Sequence, residues 1–162
     1  MKRRIITVIL TVVLLATMAV APAGAMAAEK IQILKVTVDG ARLRQGPSSE
    51  YSVKKSLNKG AKVFFLGKKN SFAHVRTSGG TEGYVYKDFL KSYGSCYKNQ
   101  VYYNSKKSLR VYKRPSTHSS RVTKLSRNQH VIVYQVKGSW AYIKTVSGKG
   151  GYCKASALRK AF

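Results

Sequence analysis

Two short segments of this chain carry the same apolar pattern. Val63-Phe64-Phe65-Leu66 and Val131-Ile132-Val133-Tyr134 are rich in β-branched and aromatic residues, and a turn former, Gly60 or Asn128, precedes each. Runs of this length between turn residues predict strands. An alternating stretch follows in both places, Phe72 to Thr77 and Trp140 to Thr145, with Ala73, Val75, Ala141 and Ile143 sharing one parity. Period two is the period of a strand with one face turned inward. Ser78-Gly79-Gly80 and Ser147-Gly148-Lys149-Gly150 then read as turns leading into Gly83-Tyr84-Val85 and Gly151-Tyr152-Cys153. Four to six short strands per unit, with glycine turns and no 3.6-residue stripe, predict a small all-β barrel.

The two patterns are one pattern repeated. Setting Pro47 over Pro115 gives an offset of 68 that holds without a gap from Ala41–Leu90 to Leu109–Leu158. Arg42/Arg110, Leu57/Leu125, Val63/Val131, Ala73/Ala141, Gly83/Gly151 and Tyr84/Tyr152 are identical pairs, and Phe72/Trp140 and Val75/Ile143 are conservative ones. A single register kept through apolar and glycine positions marks a duplicated domain. The expected organisation is a leader over 1–28, one domain over 29–91, a Ser-, Gly- and Tyr-rich linker over 92–100, and a second domain over 101–162.

The leader changes the reading of the charge. Lys2, Arg3 and Arg4 precede an apolar run from Ile5 to Val20, and small residues from Ala21 to Ala28 follow. That succession is the signature of a secretory signal peptide, with cleavage after Ala25 or Ala27 fitting equally well. The alanine-rich exit favours cleavage over an uncleaved membrane anchor, so the mature protein is expected to be secreted, with no stable membrane anchor. The whole chain carries 31 Lys plus Arg against 5 Asp plus Glu, a formal charge of +26. Losing the three basic leader residues leaves +23, which the carboxylates of Glu29, Asp39, Glu50, Glu82 and Asp88 cannot neutralise. Such an excess draws polyanions. Outside the cell the expected partner is an anionic wall polymer rather than specific nucleic acid.

Ala41-Arg42-Leu43-Arg44-Gln45-Gly46-Pro47-Ser48-Ser49, then Leu57-Asn58-Lys59-Gly60, Val63, and Gly83-Tyr84-Val85 before Leu90, resembles the bacterial SH3 (SH3b) domain. Tyr84 stands where that family often has Trp. In the second copy Tyr112 and Arg114 replace the expected Arg and Gly, whereas Gly138 to Lys144 lies closer to the family's middle strand. The resemblance implies two tandem SH3-like β-barrels behind a signal-peptide helix, used as binding modules that often target cell-wall peptidoglycan.

Parity assigns the outer faces. If Ala73, Val75, Ala141 and Ile143 point inward, then Phe72, His74, Arg76, Trp140, Tyr142 and Lys144 point outward. On the preceding strands Val63, Phe65, Val131 and Val133 go in and Phe64, Leu66, Ile132 and Tyr134 stay out. Tyr84 and Tyr152 are outward if Val85 and Cys153 are inward. Rings beside cations suit a sugar face with a carboxylate or phosphate nearby. Phe72, His74, Arg76, Tyr84, Trp140, Tyr142, Lys144 and Tyr152 are therefore candidate ligand residues. The alternatives are cross-strand packing of Phe64 on Phe72 and Ile132 on Trp140, or packing between the two copies.

Catalytic chemistry finds little support. His74, His118 and His130 have no metal-motif spacing, and the carboxylates form no evident pair for glycoside hydrolysis. Cys96 lacks a base and an oxyanion scaffold around it, and two barrels use up the length. Neither enzyme activity nor metal nor cofactor is expected. In an exported protein Cys96 and Cys153 could form a disulfide between neighbouring strands, or Cys153 could be a buried free thiol. The expected function is a non-catalytic, cell-wall-associated protein that reads a wall glycan, a stem peptide or an anionic wall polymer. The alternative is a regulatory or targeting partner that docks on a separate envelope enzyme.

Overall fold

The computed structural model describes residues 28–162; the expected leader over 1–28 lies, but for Ala28, outside the described residues. Strands β1 (Lys30–Val36), β2 (Ala41–Arg44), β3 (Val53–Leu57), β4 (Lys62–Lys69), β5 (Phe72–Thr77), β6 (Glu82–Tyr86) and β7 (Leu90–Tyr97) form one antiparallel sheet, ordered β3-β2-β6-β5-β4-β1-β7. Strands β8 (Val101–Asn104), β9 (Ser108–Tyr112), β10 (Arg121–Ser126), β11 (His130–Lys137), β12 (Trp140–Thr145), β13 (Gly150–Lys154) and β14 (Leu158–Lys160) form a second, ordered β10-β9-β13-β12-β11-β8-β14. The orders are the same, and β4, β5 and β6 map onto β11, β12 and β13 at the 68-residue offset, end to end.

Each sheet rolls up on its apolar face. Leu57 from edge strand β3 and Leu90 at the start of edge strand β7 meet one cluster with Val36, Leu43, Val63, Val75 and Val85. In the second sheet Leu125 of β10 and Leu158 of β14 share a cluster with Val111, Val131, Ile143 and Cys153. A sheet whose two edges feed the same core is curled into a barrel. The period-two pattern sets this interior: Ala73, Val75, Ala141 and Ile143 are all buried.

Turns and bulges repeat as faithfully as the core. Left-handed backbone occurs at Gly60 (φ 86°) and its equivalent Asn128 (φ 62°), and at Asn70 (φ 53°) and its equivalent Gly138 (φ 55°). Glycine and asparagine exchange there because few other residues tolerate that region. The β4–β5 ladder skips between Phe65 and Gly67, and the β11–β12 ladder between Val133 and Gln135. Leu66 and Tyr134 are thus the extra residues of two equivalent bulges.

Residues 92–100, expected as a linker, are regular structure instead. β7 runs on to Tyr97, pairing along the whole of β1 from Val36↔Leu90 to Lys30↔Tyr97, and Lys98–Gln100 form a 3-10 turn. The physical cause is β1: its outer edge would otherwise present unpaired backbone groups beside an apolar surface.

That surface joins the barrels. Ile31, Ile33, Phe64, Cys96, Val101, Ile132 and Val146 form a third buried cluster, with Leu66 and Ala161 against it. Ile33 and Val101 are repeat equivalents, as are Phe64 and Ile132, so each copy contributes the same two positions to a contact that is otherwise asymmetric, with Ile31, Cys96 and Val146 having no counterpart in it. Phe64 and Ile132 do point away from their own barrels, and what covers them is the other copy. The cross-strand alternative is excluded by register, since Phe64 pairs with Arg76 and Ile132 with Lys144. The Ser78 carbonyl accepts from the His130 backbone N–H at 2.7 Å across the junction.

The disulfide considered above is not formed. Cys96 and Cys153 are free thiols, one in the junction cluster and the other in the second barrel's core. Burial pushes their pKa values up to about 11 and about 12. His130 is buried at the junction against Phe64 at 6.1 Å between ring centroids, and its Nδ1–H donates to the Asn128 carbonyl at 2.9 Å. Burial, opposed in part by that hydrogen bond, holds its pKa below the ordinary 6.5.

Candidate functional site

The outer face of the first barrel is built from three adjacent strands. Register places Phe72 beside Tyr86, His74 beside Tyr84 and Arg76 beside Glu82 between β5 and β6, with Arg44 of β2 beside Tyr84. Phe72 and Tyr86 meet edge to face at 5.6 Å, and Tyr86 meets Phe89 of the 3-10 turn Lys87–Phe89 in the same way at 5.4 Å. These rings, with Val38 and Ala41, line a groove of about 520 Å³ rimmed by Asp39, Arg42, Arg44 and Ser49. The Arg44 guanidinium donates to the Tyr51 carbonyl at 2.7 Å, which fixes it at the groove's edge. An apolar, ring-walled groove with guanidinium groups at its lip suits a sugar or peptide carrying a carboxylate.

Beyond the groove the same face is self-engaged. His74 stacks on Tyr84 at 4.8 Å, with its Nε2 3.5 Å from Glu82. Arg76 donates to Glu82 Oε1 through Nε and Nη2 at 2.8 and 2.6 Å, and to the Ala161 carbonyl at 3.2 Å. Its guanidinium also lies 4.4 Å from the Phe162 ring. With its side chain 17% exposed, Arg76 ties the first barrel to residues 161–162. The free cation expected at this position is absent, because the second barrel brings acceptors to it.

The second barrel's outer face has the same geometry and different chemistry. Trp140 pairs with Lys154, whose Nζ lies 4.2 Å from the indole, and Tyr142 pairs with Tyr152 at 5.1 Å. Tyr112 meets Trp140 edge to face at 5.9 Å, and exposed Tyr134 of the bulge lies 6.2 Å from Tyr142. Lys144 is exposed. Trp140, Tyr142 and Tyr152 therefore share one surface, with cations at its margins.

The structure brings the candidate residues together as two separate patches, one per barrel. Sequence reasoning missed Arg42, Arg44, Tyr86 and Phe89. Arg42 was visible as an identical pair with Arg110, and Tyr86 shares parity with Tyr84. Phe89 had no periodic signal, since it sits in a 3-10 turn. Among the described residues no three His, Cys, Asp or Glu side chains are grouped so as to hold a metal ion, and no helix is long and apolar enough to cross a membrane.

Residues 39–91 and 107–159 each match the family model described as the bacterial SH3 domain. No curated protein matches the chain. Among solved structures it is similar to NlpC2 from Trichomonas vaginalis, at 22% identity over 80% of this chain and 48% of that one, with a TM-score of 0.33. NlpC1 from the same organism gives 23% identity, 85% and 48% coverage, and a TM-score of 0.33. An NlpC/P60 family protein from Bacillus cereus ATCC 10987 gives 13% identity, 81% and 56% coverage, and a TM-score of 0.35. The chain spans about half the length of these structures.

Proposed function

Since the chain belongs to the bacterial SH3 domain family, whose members serve as cell-wall binding modules, we propose that it is a non-catalytic binding protein of the cell envelope. Its ligand is a peptidoglycan glycan or stem peptide held in the groove of the first barrel. The observation that carries this reading is that groove: Phe72, Tyr86 and Phe89 in edge-to-face contact, rimmed by Arg42 and Arg44. Rings supply area against a sugar or peptide backbone at low entropic cost, and guanidinium groups orient a carboxylate. The leader motif at Lys2 to Ala28 supports export, so the protein acts outside the cytoplasmic membrane. Two barrels on one chain gain avidity when both reach the same polymer.

The test is sedimentation of residues 28–162 with purified sacculi at two salt concentrations. The double variant Phe72→Ala/Tyr86→Ala is expected to weaken binding by about tenfold or more, in the range of an interface hot spot. Unchanged sedimentation of that variant would remove the groove from the account. Capture of a stoichiometric envelope enzyme, with no sacculus binding, would replace wall recognition by docking on that enzyme.

A further inference from the structure

The loop between β9 and β10 has no role in the groove and no counterpart of like chemistry in the first barrel. Lys113, Arg114, Ser116, His118, Ser119 and Ser120 line a cavity of about 430 Å³ there. The loop is closed on itself: the Lys113 N–H donates to the Ser120 carbonyl at 2.9 Å and the Ser116 N–H to the Arg114 carbonyl at 2.7 Å. Ser119 Oγ accepts from the Arg114 N–H at 3.0 Å, and Ser116 Oγ accepts from the His118 N–H at 3.2 Å. With the two oxygens used as acceptors, both hydroxyl protons remain for an outside acceptor. Lys113, Arg114 and His118 line the same cavity as these hydroxyls.

Folding does not require these cations. The equivalent positions in the first barrel are Gln45, Gly46, Ser48, Glu50, Tyr51 and Ser52, on the same strand framework, with a carboxylate in place of His118. Two of the serines persist and every basic residue is gone. Nor does anything acidic in the second barrel compete, because no Asp or Glu follows Asp88 in the chain.

We propose that loop 113–120 is a phosphate-recognition site through which the second barrel holds a phosphodiester-linked polyol polymer. A tetrahedral oxyanion matches several converging donors, with Arg114 able to grip two oxygens at once. The uniformly positive barrel attracts further phosphates along the same strand. The site is independent of the first barrel's groove, and rests on the envelope reading only for the source of the polymer.

The test is calorimetric titration of residues 28–162 with poly(glycerol phosphate), with polyglutamate of equal charge, and with single-stranded DNA of equal phosphate number. The phosphate polymer is expected to bind about tenfold more tightly than polyglutamate. Lys113→Gln/Arg114→Gly/His118→Glu, which installs the first barrel's residues, is expected to lose about tenfold of that affinity. Lys137→Gln/Lys149→Gln/Lys160→Gln removes the same formal charge elsewhere and is expected to lose about threefold or less. Lys113→Gln/His118→Glu, changed only at exposed positions, gives an intermediate loss if the triple variant does not fold. Phe72→Ala/Tyr86→Ala leaves polymer binding unchanged, so failure of the groove and failure of this site are told apart. Equal affinity for phosphate and carboxylate polymers, or equal losses in the two charge-matched variants, would overturn the proposal. Tighter binding of the DNA would reassign the loop to nucleic acid.

Discussion

The two barrels share a skeleton and differ most in the charged and aromatic residues of their outer faces. Strand order, the β4–β5 and β11–β12 bulges and the left-handed turns at 60/128, 70/138 and 80/148 coincide at the 68-residue offset, and the cores are built largely from equivalent positions. Asp39, Glu50, Glu82 and Asp88 all lie in the first barrel, where Glu82 holds Arg76 and neighbours His74. At the positions of Arg76 and Glu82 the second has exposed Lys144 and Gly150, with no partner to make. Interior positions are limited by packing and change less freely than outer ones, which answer only to what they touch.

Where the skeleton itself is edited, the edits are coupled. A Cβ added at Gly46 would lie 2.6 Å from the Tyr51 ring. The second barrel has Arg114 there, and Ser119 in place of Tyr51 removes the obstruction while capping the Arg114 N–H. Val36, buried in the first core, is replaced by Asn104, equally buried. Its Nδ2 reaches the carbonyls of Lys106, Leu125 and Ser126 at 2.9, 3.2 and 3.0 Å, and its Oδ1 accepts from the Lys106 N–H at 3.0 Å. One barrel closes its end with a hydrophobe and the other with a hydrogen-bonded amide.

The largest expected effect tests whether the barrels stand as one body. Phe64 is fully buried at the junction, and Phe64→Ala should cost about 3–5 kcal/mol, splitting thermal unfolding into two calorimetric transitions. A single unshifted transition would show that the junction contributes nothing. Next comes Asn104→Val, which installs the first barrel's residue but strands the carbonyls that Asn104 serves. A loss of about 2–4 kcal/mol is expected, confined to the second barrel by amide exchange. A neutral result would mean that the two closures are interchangeable.

A smaller effect follows from His130, which replaces Lys62 at the junction. Its folded pKa lies below 6.5, so the unfolded chain binds the proton more readily. The stability it supports is therefore present above about pH 6.5 and declines as the pH falls below it. Denaturant unfolding between pH 7 and 5 should show this decline, and His130→Gln should flatten it; an identical slope in the variant would clear His130 of the role. Smallest is the thiol test. With pKa values raised to about 11 and about 12, Cys96 and Cys153 should resist alkylation in the folded protein and react fully in denaturant. Rapid labelling of Cys96 alone would show that the junction opens.

How much was legible in the sequence varies from one residue to the next. Ala73 and Val75 were readable as interior because their parity and small size are local properties of a strand. The duplicated register located the turns at Gly60 and Asn128 and at Gly80 and Gly148, where glycine or asparagine supplies the positive φ in both copies. Phe64 and Phe72 share neither fate nor neighbours, although both were readable as outward: one is sealed at the junction and the other walls a groove. Arg76 and Lys144 are repeat equivalents, yet one is committed to Glu82 and residues 161–162 while the other meets solvent.

The linear order of residues alone therefore determined the strands, their repetition and the inner lining of each barrel, because period-two alternation and turn chemistry act between near neighbours. Tertiary structure alone decided which outer residues remain available, because "outward" is defined against a residue's own sheet. Whether water or a second barrel lies on that side depends on how β1, β7 and the junction cluster bring the two copies together.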